Sequence, residues 1–288
     1  MDKDTFFSKK HSINCRGKLL DLSKPVVMGI LNVTPDSFYD GGKYTQPEAI
    51  TARAGQIIAE GGKIIDMGAY STRPGAPEVS EEEEEKRLFP ALEIVRKRFP
   101  DIPVSIDTYR ASIAQKAVSE FEADIINDIS GGTMDPDMFK TIAGLKVPYI
   151  LMHIKGEPNN MQKNPVYGNL MEEILKFFSE KISTLKLMGV SDIIIDPGFG
   201  FGKTLDHNYE LLHKMEDFKI FELPILVGVS RKSMIYKLLQ SSPDQALNGT
   251  TIINTLALLK GANILRVHDV KEATESIKIL EEYNKFTD

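Results

Sequence analysis

Residues 26–32 read Val26-Val-Met-Gly-Ile-Leu-Asn32, a continuous apolar run that ends on a polar side chain. Continuous runs, unlike strict alternation, suit parallel strands covered on both faces. Seven more segments have the same form: 64–68 (IIDMG), 104–107 (VSID), 124–128 (DIIND), 148–153 (PYILMH), 192–196 (DIIID), 225–230 (ILVGVS) and 263–268 (NILRVH). Amphipathic stretches of helical period lie between them. Eight such units about 34 residues apart predict a (β/α)8 TIM barrel, an architecture that takes roughly 250 residues. A Rossmann-like sheet would bring fewer strands and a glycine-rich first turn.

Working outward, segment 12–23 (SINCRGKLLDLS) predicts a short β-hairpin turning at Arg16-Gly17 and closing the lower end of the barrel. Residues 1–25 are therefore expected to form a hairpin segment and 26–288 a single barrel domain. Ser80-Glu-Glu-Glu83 predicts a capping box, with the glutamate run 81–85 as a solvated helix start. Residues 170–188 predict a long amphipathic helix closed by Gly189.

With 288 residues, 42% of them hydrophobic, one core can form without a disulfide or metal staple. Cys15 is the single cysteine, which excludes an internal disulfide and a Cys-based zinc or iron–sulfur site. No apolar run approaches the roughly 20 residues that span a bilayer, and the polar start lacks a signal-peptide core. A cytoplasmic protein is expected. The net charge of −6 argues against general binding to nucleic acid or to an anionic membrane. An anionic ligand would have to be held by a few placed groups. There is no HExxH pair and no Cys/His cluster, so a tightly held transition metal is not expected. Mg²⁺ carried by substrate phosphates remains compatible, because it often takes only one or two protein ligands, and Asn32 could supply one.

Barrels of this kind place their chemistry at the carboxyl ends of the strands. Asp107, Asn127 and Asp196 bring two carboxylates and an amide to those ends. A carboxylate binds a planar N–C(NH₂)–N edge through two parallel hydrogen bonds, as it binds arginine. Arg266 and His268 alternate on the eighth run and so face one way, giving a second, cationic half. Ser230-Arg-Lys-Ser233 follows the seventh run, where the next helix would offer free N–H groups to an anion. Asp66 is expected to support the site from outside it. Arg231 suits a structural salt bridge as well as a ligand contact. The glycine-rich stretch 198–204 fits neither a Walker loop nor a dinucleotide fingerprint.

Several motifs together resemble the dihydropteroate synthase family, in that family's order. They are Asn32-Val-Thr-Pro-Asp-Ser-Phe38, Ser71-Thr-Arg-Pro-Gly75, Ser105-Ile-Asp-Thr108, Asn127-Asp-Ile-Ser-Gly-Gly132 and Met152-His153 with Gly156-x-Pro158. Asp196-Pro-Gly-Phe-Gly-Phe-Gly-Lys203, Gly228-x-Ser-Arg-Lys-Ser233 and Arg266-Val-His268 complete the set. The resemblance implies condensation of (7,8-dihydropterin-6-yl)methyl diphosphate with 4-aminobenzoate, in a Mg²⁺-dependent homodimer targeted by sulfonamides. It implies that Asp107, Asn127, Asp196 and Lys232 hold the pterin, with Met152, Phe201 and Gly228 lining its slot. Thr72, Arg266 and His268 would take the diphosphate, Asn32 the Mg²⁺, and Arg73, Ser233 and Phe38 the aminobenzoate. Catalytic roles fall to Asp107, Lys232, Arg73 and Asp36. One departure is Tyr70, where the family commonly has Glu.

Two other functions use related parts. A corrinoid-linked methyltransferase of the pterin-binding type would not need the 34–38 loop, Arg73 or the Arg266/His268 pair. A non-catalytic pterin-binding module would be expected to lack Lys232 or the diphosphate cations. This chain carries all of them.

Overall fold

The computed structural model describes residues 12–34, 46–70, 79–156, 161 and 165–286. It opens with an antiparallel hairpin, β1 (Ser12–Cys15) and β2 (Lys18–Asp21). Arg16 and Gly17 turn it with φ of 50° and 83°, the paired left-handed conformation that a two-residue hairpin turn requires. Eight parallel strands follow: β3 (Val26–Asn32), β4 (Ile64–Gly68), β5 (Val104–Asp107) and β6 (Ile125–Asp128), then β7 (Tyr149–Met152), β8 (Ile193–Asp196), β9 (Leu226–Val227) and β10 (Ile264–Val267). Their order is β8-β7-β6-β5-β4-β3-β10-β9, and a parallel bridge from Ile195 to Ile225 joins the two ends. The ring predicted from the eight runs is present, with the hairpin as a separate small sheet.

Alternation along the strands sorts side chains into two cores. Outward residues such as Val27, Ile65, Ile106, Ile126, Tyr149, Ile195 and Leu265 pack against the surrounding helices. Inward residues Met28, Ile64, Ile125, Ile150, Ile194, Leu226 and Ile264 form one layer across the base of the barrel. Ile13, Cys15 and Leu22 of the hairpin segment complete that layer and cap it from below. Each such aliphatic side chain contributes about 1.5–3 kcal/mol by leaving water.

The described helices are α1 (Gln46–Ala59), α2 (Glu81–Arg98), α3 (Ala111–Ser119), α4 (Met138–Leu145) and α5 (Leu170–Leu187), then α6 (Leu205–His213), α7 (Ser233–Tyr236), α8 (Leu247–Leu259) and α9 (Val270–Tyr283). None of the described helices is long and apolar enough to cross a membrane. Helix α5 ends as its sequence predicts, with Gly189 at φ 86°. Helix α2 departs from its prediction twice. Ser80 accepts the Glu83 N–H, but the Glu83 carboxylate turns to Arg87 Nε at 2.7 Å, so only half of the capping box forms. Glu84 is fully buried rather than solvated. The helical period turns it inward onto the end of β5, where it accepts the Thr108 hydroxyl at 2.7 Å and pairs with Arg110.

Candidate active site

The inward alternation that builds the base layer also builds the polar layer above it. Two residues beyond Ile64, Ile125, Ile150, Ile194, Leu226 and Ile264 stand Asp66, Asn127, Met152, Asp196, Gly228 and Arg266. Asp107 lies level with Asn127 in the β5–β6 ladder. Asp128, one residue on, faces outward and accepts the Tyr149 hydroxyl at 2.7 Å. A period of two thus separates two neighbouring polar residues into a site residue and a core bond.

Arg266 ties the layer together. Its Nε lies 2.6 Å from Asp66 Oδ2 and its Nη2 lies 2.7 Å from Asp107 Oδ2. Strand β10 neighbours β3 and β9, so both bonds cross the interior of the ring. Asp66 is fully buried and also accepts the Asn127 amide at 3.3 Å, which confirms it as the supporting carboxylate. Burial raises the Asp107 carboxyl to about 7 against the pull of Arg266, with which Asp66 also pairs. The Tyr70 hydroxyl donates to the remaining Asp107 oxygen at 3.3 Å.

Asp196 is buried at the end of β8, where its Oδ1 accepts the Gly198 N–H at 2.8 Å. Burial raises its carboxyl, opposed by Lys232, the Gly198 N–H, Arg266 and Lys203. Lys232 precedes α7, donates to the Phe199 carbonyl and stands 4.4 Å over the Phe201 ring. Burial lowers its ammonium to about 8. Phe201 packs with Met152, Ile129, Ile154, Met161 and Tyr70, whereas Phe199 is fully buried in the outer core. Met152 and Phe201, both expected to line the pterin slot, thus fall in one apolar cluster. Gly200, at φ 79°, passes so close to Lys232 that a Cβ would sit 3.1 Å from its Cδ.

The cationic half needs one correction. His268 is neutral, because burial first and then Arg266 and Arg231 press its imidazole down to about 4. Ser230 Oγ accepts the His268 backbone N–H and lies 3.0 Å from Nδ1. The hydroxyl can donate to Nδ1 and so leave Nε2–H as the outward donor. Arg231 forms a two-point salt bridge with Asp269 at 2.6 and 3.1 Å, the structural of the two roles its sequence position suits. Helix α7 is a single turn, shorter than the anion-receiving helix the sequence suggests, and Ser233 is its first residue. Asn32 ends β3, with no side-chain hydrogen bond to any described residue. No group of three or more His, Cys, Asp or Glu among the described residues could hold a metal alone. Asp36, Phe38, Thr72 and Arg73 lie outside the described residues.

Three contacts at the site were not assigned by sequence: Tyr70 with Asp107, Ser230 with His268, and Lys203 with the 198–201 turn. Tyr70 continues the inward series Asp66, Gly68, so the same period of two could have flagged it. Lys203 had a weaker signal, a lone cation closing a glycine-rich turn.

Comparison with known proteins places these features in a wider set. A family model described as "Pterin binding enzyme" matches residues 28–268. The dihydropteroate synthase of Escherichia coli K12 is 43% identical over 268 residues, covering 92% of this chain and 94% of that one. The Yersinia pestis dihydropteroate synthase, solved as a sulfonamide drug complex, superposes with a TM-score of 0.89 at 43% identity, covering 95% of this chain and 99% of that one. The Xanthomonas albilineans dihydropteroate synthase, solved with 4-aminobenzoic acid, gives 0.88 at 35% identity, covering 95% and 98%.

Proposed function

The chain belongs to the dihydropteroate synthase family, and from that footing we infer which of its residues carry each part of the reaction. The enzyme condenses (7,8-dihydropterin-6-yl)methyl diphosphate with 4-aminobenzoate, giving 7,8-dihydropteroate and diphosphate in folate synthesis. Asp107, Asn127 and Asp196 hold the polar edges of the pterin, and Lys232 donates to it from the rim. Met152, Phe201 and Gly228 line the slot in which the ring lies flat. The support is geometric: Asp107, Asn127, Met152, Asp196 and Gly228 share the inward face above one base layer, with carboxylates able to form paired bonds to an aminopyrimidine edge.

Breaking the C–O bond puts negative charge on diphosphate and spreads positive charge over the pterin. Asp107 stabilises the positive charge, which favours its ionised form despite burial. Arg266, Thr72 and His268 receive the diphosphate, Arg266 through its charge and the neutral His268 through a ring N–H. The aniline nitrogen of 4-aminobenzoate is a weak base, unprotonated at neutral pH, so positioning replaces a strong general base. Arg73, Ser233 and Phe38 seat the aminobenzoate, with Arg73 and Asp36 counted among the catalytic groups. Sulfonamides, which mimic 4-aminobenzoate, compete at that seat.

Mg²⁺ would take the side-chain amide oxygen of Asn32 at the end of β3, with substrate phosphate oxygens as its other ligands. When bound, the metal supplies charge neutralisation on the leaving diphosphate. A second copy of the chain suits the apolar face of α8, where Leu247, Ile252, Leu256 and Leu259 are 38–52% exposed. The free, buried thiol of Cys15 suits a reducing cytoplasm. Residues 1–25 and 26–288 are taken as hairpin segment and single barrel domain.

The observation that carries this assignment is the interior crossing of Arg266 to Asp107 at the mouth shared with Asp196 and Lys232. A diphosphate-release assay tests it. Release should need both 4-aminobenzoate and Mg²⁺, and release at an equal rate without 4-aminobenzoate would contradict the condensation.

A further inference from the structure

We infer that Lys203 is a positioning residue of the pterin site: its ammonium pins the 198–202 turn to the end of β7 and faces Asp196. This rests on the assignment of Asp196 to the pterin. Lys203 is 2% exposed, yet its Nζ touches no carboxylate among the described residues. It donates to the Gly198 carbonyl at 2.9 Å and the Phe201 carbonyl at 3.2 Å, and meets His153 Nδ1 at 3.0 Å. Three acceptors therefore use all three protons of one ammonium.

The turn it holds is built to lie against β7. Gly198 adopts φ 72°, and a Cβ there would fall 1.9 Å from the His153 carbonyl oxygen. His153 can accept at Nδ1 because burial, then the charges of Lys203 and Lys155, keep its ring neutral. Gly198 is bonded on both sides: its carbonyl takes Lys203, and its N–H holds Asp196 Oδ1 at 2.8 Å. Between Gly198 and Lys203 lie Phe201, which walls the slot, and the Phe199 carbonyl, which holds Lys232. One ammonium thus sets the place of the Asp196 carboxylate, the Phe201 ring and the Lys232 tether.

Its charge has a second effect. The cations facing Asp196 are Lys232 before α7, Arg266 on β10 and Lys203 on its own loop. Lys203 in turn is faced by Asp196, by Lys232 and by the neutral His153 of β7. Burial lowers the Lys203 ammonium to about 7, so it carries its full charge only on the acid side of that value, and the two carbonyls could be satisfied by an uncharged amide. What an amide cannot supply is the field that favours the ionised form of Asp196.

Calorimetric titration of the intact chain with 6-hydroxymethylpterin, from about pH 5 to pH 8, separates these effects. Lys203→Gln should weaken binding about tenfold and move its acid limb upward by less than about one pH unit, because Lys203 acts on Asp196 more weakly than Lys232 or Arg266. Lys203→Arg, which keeps the charge, should leave the acid limb near the wild-type position. Lys203→Met serves in the same way should the Gln variant not fold. Asp196→Asn is the control for the site and should lose binding at every pH. An unshifted acid limb with wild-type affinity in the uncharged variants, while Asp196→Asn fails to bind, would overturn the role of Lys203 alone. Unchanged binding by Asp196→Asn would overturn the pterin assignment and this inference with it.

Discussion

Arg266 on β10 and Asp107 on β5 meet at 2.7 Å although β4 and β3 stand between their strands in the ring. Only a long side chain directed inward can make that link, and only a forked one can hold Asp66 at 2.6 Å as well.

Arg266→Lys keeps the charge and loses the fork. Steady-state kinetics should show kcat/KM lower by about 10- to 100-fold, the worth of a charge-assisted bond, with KM for the pterin diphosphate raised. A fall in kcat alone would restrict Arg266 to the diphosphate.

Tyr70→Phe deletes the O–H that favours the ionised form of Asp107. The carboxyl already sits at about 7, so losing that bond moves it higher. The acid limb of kcat/KM should shift to higher pH, while the plateau changes less than about threefold. An acid limb that stays in place would remove Tyr70 from the control of Asp107.

His268 titrates at about 4 when folded, below its ordinary value of 6.5. The unfolded chain therefore binds a proton that the folded chain refuses between those values, and stability falls as pH drops through that window. Relative to His268→Gln, the wild type should lose about 2 kcal/mol between pH 7 and pH 5, read by urea denaturation. Equal losses in both proteins would mean that the imidazole is protonated in the fold.

Asn32→Ala removes the amide assigned to Mg²⁺. The Mg²⁺ concentration for half-maximal turnover should rise about tenfold, with pterin binding in metal-free buffer unchanged. An unaltered Mg²⁺ dependence would place the cation on other groups.

Much of the site was legible because one periodicity governs both layers of the barrel interior. Once the apolar runs are aligned as strands, Asp66, Asn127, Asp196 and Arg266 fall on the inward face two residues past a base-layer side chain. Partner choice was not legible in the same way. Arg266 finds Asp66 and Asp107 at separations of 200 and 159 residues, and closure of the ring decides which carboxylates it reaches. Local composition also misled. Glu84 looks like its four acidic neighbours, and only the docking of α2 against the segment after β5 shows that it is buried and bonded to Thr108 and Arg110. The charge of His268 was misread for a similar reason, since alternation gives the direction of a ring but not its solvation.

The apolar plug of Ile13, Cys15 and Leu22 has a kinetic corollary. With the base filled, a ligand of the inward polar layer would come and go past the carboxyl ends of the strands. A pterin in the deeper seat proposed for it would then enter before the aminobenzoate, an order that initial rates with both substrates varied would reveal.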